Sequence, residues 1–339
     1  METKPEDYQG VWTLGEVRNG EIHSVSHELL AWGRDLADKL EVELTSVVMG
    51  HGITDKVNEL IARGADKVIV VDNPALEHFR ADPFSKILEA LIEEYKPEIL
   101  IASATTMGRT LMPILASKLS AGLTADCTGL EADLEERLLI QTRPAVGGNI
   151  MATIKTPTAR PQMSTVRPKS KRPLPADDSR TGEIITRDFE GDYLESRVTR
   201  LNFIEEEAGG IPIQEAEVVV AFGKGMKDAK NLELINELAD LLGGSVGASR
   251  GAIDLGWISY SHQVGLSGKT VSPRLYVACG ISGAVQHLAG MSSAETVVAV
   301  NSDPEANIFG VADYSIIGDF NEVVPLLIEK LKQRAKEEH

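Results

Sequence analysis

Over its first 120 residues the chain alternates between two hydrophobic periods. Runs of apolar residues at Gln9–Gly15, Glu43–Met49, Lys67–Val71 and Glu98–Ala104 predict buried strands. Helical patterns lie between them. Ser24–Leu40 puts Leu29, Leu30, Leu36, Ala37 and Leu40 on one face, and Thr54–Arg63 is a short helix ending at Gly64. Asp82-Pro83 reads as N-cap and first-turn proline of a helix closed by Tyr95-Lys96-Pro97. Gly108–Leu119 is the next helix, with Gly122 at its end. Continuous strands alternating with amphipathic helices predict a parallel sheet covered on both faces. Beyond Gly122 the helices drop out, and Leu134–Thr142 and Ile150–Ile154 read as antiparallel strands added at the edge of that sheet.

Residues 155–180 break the pattern. They hold prolines 157, 161, 168, 173 and 175, with seven basic and two acidic residues. Two readings stand: an extended surface segment wrapping the domain, or a docking strip for an acidic partner. The charge run and glycines of Glu205–Pro212 read as an interdomain linker.

A second alternating series follows. Glu217–Phe222, Ser245–Ala248, Arg274–Cys279, Thr296–Val300 and Asp313–Ile317 predict strands. Asn231–Leu242, Ser282–Ala289 and Asn321–Lys332 predict helices, with Ser282 and Asn321 as N-caps. The expected fold class is therefore α/β, two Rossmann-like parallel-sheet domains in tandem: residues 1–206, a hinge at 207–212, and residues 213–339.

Composition narrows the functions. At 339 residues there is room for two cores. A formal charge of −17 repels nucleic acid and anionic membrane. Two cysteines, Cys127 and Cys279, are too few for a disulfide framework or a cysteine-rich metal site, and no metal is expected. No apolar run approaches the ~18–20 residues of a membrane span, and the polar start is not a secretory signal. The expected compartment is the cytoplasm.

The candidate chemistry lies just after the strands of the second series, where open parallel sheets bind ligands. Gly223-Lys224-Gly225 is one such turn, and Ser249-Arg250 ends a short strand. Gln263-Val264-Gly265-Leu266-Ser267-Gly268 brackets a hydroxyl with glycines. Cys279-Gly280-Ile281-Ser282-Gly283-Ala284-Val285-Gln286-His287 runs from a buried strand through a glycine turn into a predicted helix, a natural anion site. Asn301-Ser302-Asp303-Pro304 and Gly318-Asp319-Phe320 are short polar caps after the last two strands. GxxxxGK[ST], HExxH, a CxxC pair and GxSxG are all absent.

The run Pro273–Met291, continued by Val300-Asn301-Ser302-Asp303-Pro304 and Ala312-Asp313-Tyr314, resembles the signature of the electron transfer flavoprotein α subunit. Val246–Arg250, Gln263–Lys269, Thr106–Arg109 and Arg160–Pro168 match the same family. The resemblance implies an obligate heterodimer with a β subunit, FAD in the C-terminal domain, and electron carriage rather than conversion of a substrate. It implies that Ser282, Gly283, Ala284, Val285, Gln286 and His287 meet the FAD pyrophosphate and pyrimidine ring. Gln263, Val264, Gly265, Leu266 and Ser267 would meet the flavin, with the Ser267 hydroxyl on N5. Arg250 would favour anionic reduced forms, Lys224, Ser249, Asn301 and Asp319 would touch the adenosine or phosphate portion, and Phe320 would also be a cofactor-binding residue. Arg250, Ser267 and His287 are thus the implied flavin-tuning residues.

The opening Tyr8-Gln9-Gly10-Val11-Trp12, with Glu28-Leu29-Leu30 and Gly33–Ala37, is similar to the anaerobic, electron-bifurcating group. That group implies NADH and ferredoxin as partners through the complex, with an acyl-CoA dehydrogenase receiving electrons. The alternatives are a conventional carrier feeding a quinone reductase, an NAD- or thiamine-type enzyme, and a non-catalytic adenine-nucleotide sensor. No convincing acid/base pair for the enzyme reading is found.

Overall fold

The computed structural model describes residues 5–145, 150–202 and 211–337. By internal contact the chain forms two compact units. One is made of Met1–Ala145 and Met151–Asn202, and the other contains the chain from Phe203 onward. Residues 205–210 of the expected linker lie outside the described residues.

In the first unit the elements run β1 (Val11–Gly15), β2 (Val17–Arg18), β3 (Glu21–Ile22), α1 (Val25–Leu40), β4 (Leu44–Gly50), α2 (Asn58–Ala62), β5 (Lys67–Asp72), α3 (Ala81–Tyr95), β6 (Ile99–Ser103) and α4 (Thr106–Lys118). There follow β7 (Leu123–Cys127), β8 (Gly129–Asp133), β9 (Leu138–Pro144), β10 (Met151–Ile154), β11 (Gln162–Val166) and β12 (Glu183–Thr186). Seven strands form one parallel sheet in the order β12-β5-β4-β1-β6-β11-β7. Alternate side chains of each strand reach opposite faces. Val11, Leu44, Val48, Val68 and Ile99 join Leu29, Leu30 and Leu36 of α1. Trp12, Leu14, Val47, Ile69 and Leu100 join Phe84, Leu88 and Leu91 of α3 and Leu111 and Leu115 of α4. Burial on both faces is why these strands read as unbroken apolar runs.

Four expectations change here. The antiparallel strands do not extend the main sheet; they form a separate sheet, β10-β9-β8. The proline-rich stretch 155–180 is not only a surface segment, because β11 lies inside the main sheet with all five residues buried. Its polar residues concealed it, and each is satisfied internally. Gln162 accepts from Leu139 N at 2.7 Å, Ser164 donates to Thr124 O at 3.3 Å, and Thr165 accepts from Asp126 N at 2.9 Å. Nor are the cations of that stretch free for a partner. Arg167 is bidentate to Asp126, Lys155 meets Asp133 and Glu136, Arg180 meets Asp66, and Lys171 meets Asp35 over the Trp32 ring. Finally, Asp82 is not an N-cap. It lies inside the first turn of α3, where Arg197 holds its carboxyl down at about 2.

The second unit runs β13 (Val218–Phe222), α5 (Leu232–Leu241), β14 (Ser245–Ala248), α6 (Arg250–Asp254), β15 (Leu275–Cys279), α7 (Val285–Leu288), β16 (Thr296–Asn301), β17 (Tyr314–Ile317) and α8 (Phe320–Glu337). Its parallel sheet has the order β14-β13-β15-β16-β17. One face, with Val220, Phe222, Val277 and Cys279, packs on Ile235 and Leu238 of α5 and Val324 and Ile328 of α8. The other, with Val219, Ala221, Tyr276 and Ala299, is covered mainly by residues outside the longer helices, among them Val264, Val271, Ile281 and Ile308. The chain reverses direction across the sheet between β13 and β15, the topological switch point where such sheets take ligands. Among the described residues, no helix is long and apolar enough to cross a membrane.

Candidate functional site

The loops after β13 and β15 meet backbone to backbone at this switch point. Gly225 N donates to Gly280 O at 3.0 Å. A Cβ on Gly223 would lie 2.4 Å from that same carbonyl oxygen, so no side chain fits between the loops. Gly283 has φ +84°, and a Cβ there would lie 2.2 Å from Ile308 N, so glycine is required twice over. Beyond it the chain makes only a four-residue helix, α7, with Ala284 at its N-cap. Ser282 is thus not the expected cap, and no long helix starts here. The candidate anion-binding feature is instead a run of backbone. Among the described residues, the N–H groups of Ser282, Gly283, Ala284, Val285 and Gln286 donate to no protein acceptor. Successive free N–H groups around a left-handed glycine form a concave anion cradle.

The neighbouring loops close around this run. Leu266 N donates to Gln286 O at 2.7 Å, and Val264 N to Ala248 O at 2.8 Å. Gly265, at φ +143°, lets its backbone sit against Gln286 and His287. Gln263 is buried and donates to Ser267 Oγ at 3.0 Å, so the serine proton remains available to another acceptor. Leu266 stands 76% exposed above the loop. Ser249 is the N-cap of α6 and makes no side-chain cap bond. Arg250 begins α6 with a side chain 73% exposed and a loose 3.6 Å contact to Asp254. Lys224 lies across Gly251, where a Cβ would come 2.7 Å from its Cε.

His287 is the buried member of the group. Nε2 is 2.9 Å from the Tyr276 hydroxyl, and Nδ1 is buried without a hydrogen-bond partner. Burial lowers its pKa to about 4, against a weaker opposing pull from the Val264 backbone. The Val264 backbone thus lies beside the ring. Cys279, at the end of β15, is held as a thiol by burial, its pKa pushed up to about 12.

Three expected residues are engaged by the protein itself. Asn301 spends its side chain inside the protein, donating to Ile281 O at 2.8 Å and accepting from Asp303 N at 3.0 Å. Asp319 accepts from Lys227, which lowers its pKa, and from Asn321 N at 2.9 Å. It precedes α8, whose first residue is Phe320, so Asn321 is not the cap. Phe320 is 3% exposed and sits in the core among Val220 and Phe222, so its side chain does not face the crevice. Tyr276 joins the site from inside an apolar strand, where nothing in the local pattern signals a polar role. The Asn307–Ile308 backbone beneath Gly283 is likewise announced by no local pattern.

The donor set fits a dinucleotide: free backbone N–H groups for a pyrophosphate, two exposed cations, a free hydroxyl proton and an unpartnered imidazole nitrogen. Comparison with known proteins agrees. The electron transfer flavoprotein domain family matches residues 11–191, and the electron transfer flavoprotein FAD-binding domain family matches residues 212–292. The electron transfer flavoprotein subunit alpha of Thermoanaerobacterium thermosaccharolyticum is 49% identical, covering 96% of this chain and 99% of its own. That of Clostridium acetobutylicum is 47% identical, over 96% and 98%. The lactate dehydrogenase (NAD(+),ferredoxin) subunit LctC of Acetobacterium woodii is 42% identical, over 96% and 77%.

Proposed function

The chain belongs to the electron transfer flavoprotein family as its α subunit, and from that premise we propose how it works: it holds FAD as an electron carrier between a β-subunit flavin and an acyl-CoA dehydrogenase, within NADH-dependent bifurcation to ferredoxin. The observation that carries the reading is the run of free N–H groups from Ser282 to Gln286 at the switch point of the second sheet. The similarity to a subunit whose name couples NAD(+) and ferredoxin supports the bifurcating branch. In this reading residues 1–206 dock the β subunit, 213–339 hold the cofactor, 207–212 join them, and the complex works in the cytoplasm.

Bound FAD supplies one- and two-electron redox capacity. The residues do the rest. The Ser282–Gln286 backbone holds the pyrophosphate, and Lys224 adds a positive charge beside it. Ser267, its oxygen already occupied by Gln263, donates its proton to the ring edge. Among the described residues Arg250 meets only Asp254, loosely at 3.6 Å, so its guanidinium is available to lie over the ring and favour negative charge there. His287 offers Nδ1 to a ring carbonyl. Asn301 shapes the Ile281 turn on which the cradle hangs.

An anaerobic NADH titration of the αβ complex, followed by absorption, tests the branch. The expected result is prompt flavin reduction by NADH, with ferredoxin reduced only while the dehydrogenase turns over. Flavin that ignores NADH but accepts electrons from reduced acyl-CoA dehydrogenase would replace bifurcation with conventional carriage to a quinone reductase. A colourless protein releasing no FAD on denaturation would end the carrier reading altogether.

A further inference from the structure

Tyr276 lies on the face of β15 that is covered by loops, fully buried, with its hydroxyl 2.9 Å from Nε2 of His287. The two rings sit 6.1 Å apart, tilted by 59°. Among the described residues, His287 is the only partner of that hydroxyl, and Nδ1 on the far side of the imidazole has none. Two arrangements of the protons are available. If Nε2 carries the proton and donates to the phenol, the phenol's own proton and the Nδ1 lone pair are both left unsatisfied. If the phenol donates to Nε2, the imidazole proton moves to Nδ1 and only one buried group is left unmet. Buried polar groups are costly to leave without partners, so the second arrangement is favoured.

We propose that Tyr276 is a positioning residue: by donating to Nε2 it fixes His287 as the tautomer protonated at Nδ1, so that an N–H donor faces the bound isoalloxazine. The proposal rests on the reading of the site given above, in which His287 meets the flavin. Its surroundings agree. Burial raises the tyrosine pKa, so the hydroxyl keeps its proton, and burial keeps the imidazole neutral. The backbone just before His287 is anchored as well, since Leu266 N donates to Gln286 O at 2.7 Å. A neutral donor at a ring carbonyl stabilises charge that grows there on reduction without adding a full counter-charge.

The test is made on the FAD-loaded αβ complex. Nitrogen-15 NMR of labelled histidine reads the tautomer in the unaltered protein, and Tyr276→Phe removes only the hydroxyl while keeping the ring. The expected result is Nδ1 protonated in the parent and a mixed tautomer in Tyr276→Phe. FAD content should stay the same, and the equilibrium for flavin reduction should fall about tenfold, about 30 mV for a two-electron couple. Finding the parent protonated at Nε2 overturns the proposal, and this needs no variant to fold. So does a Tyr276→Phe protein whose tautomer and potential both match the parent. A changed tautomer with an unchanged potential would instead remove His287 from the flavin, overturning the site reading while leaving the tyrosine–histidine pair intact.

Discussion

Single side chains at the crevice carry measurable electrostatics. His287 is held neutral by burial, with its pKa near 4 against an ordinary 6.5. Its contribution to stability is complete above about pH 6.5 and is lost as pH falls through the interval to 4, on the order of 3 kcal/mol in all. Urea unfolding between pH 7 and 4 should therefore show a steep loss of stability, and His287→Gln should flatten that slope. Arg250, in the function proposed above, acts through the cofactor instead. With only a 3.6 Å contact to Asp254 to satisfy it, its removal exposes no buried partner. Arg250→Ala should leave thermal stability within about 0.5 kcal/mol of the parent. It should make flavin reduction at least about tenfold less favourable, about 30 mV per tenfold for two electrons. A reductive titration that superimposes on the parent's would remove arginine from the flavin.

Among the elements, the turn after β15 is the most tightly determined. Gly283→Ala would place a methyl on the Ile308 backbone in a left-handed conformation. The expected cost is well above 1 kcal/mol, with loss of FAD before loss of the first unit's structure. A thermal melt together with the flavin content of the purified variant would show it. Periodicity made most of these elements legible. Strands buried on both faces are continuous in Val, Ile and Leu, as at Lys67–Asp72 and Leu275–Cys279, and their helices carry one apolar side. Where burial is bought with hydrogen bonds instead, the pattern vanishes. Gln162, Ser164 and Thr165 lie inside the main sheet, yet they read as a surface strap because their partners are 23 to 40 residues away in the chain. The site loops were legible as glycine and hydroxyl punctuation after strands. The direction of each side chain was not. Phe320 turned inward to the core and Asn301 toward Ile281, choices set by neighbours rather than by local spacing.

At the scale of the whole chain, two parallel sheets follow one winding principle, and each has a switch point. In the second unit that point is lined with unbonded N–H groups. In the first, β1 and β6 lead to it, and the place is taken. Glu16 follows β1, is 3% exposed, and accepts the hydroxyl proton of Thr105, the N-cap of α4, with Arg18 3.6 Å away. Burial raises its pKa, so stability falls as pH climbs from the ordinary carboxylate value through the raised one. Glu16→Gln should thus raise the melting temperature at pH 8, with the difference fading near pH 4, and FAD per αβ pair should not change. The first switch point is thus closed by a carboxyl group and a threonine hydroxyl that the chain supplies to itself, while among the described residues the second keeps its run of N–H groups unbonded.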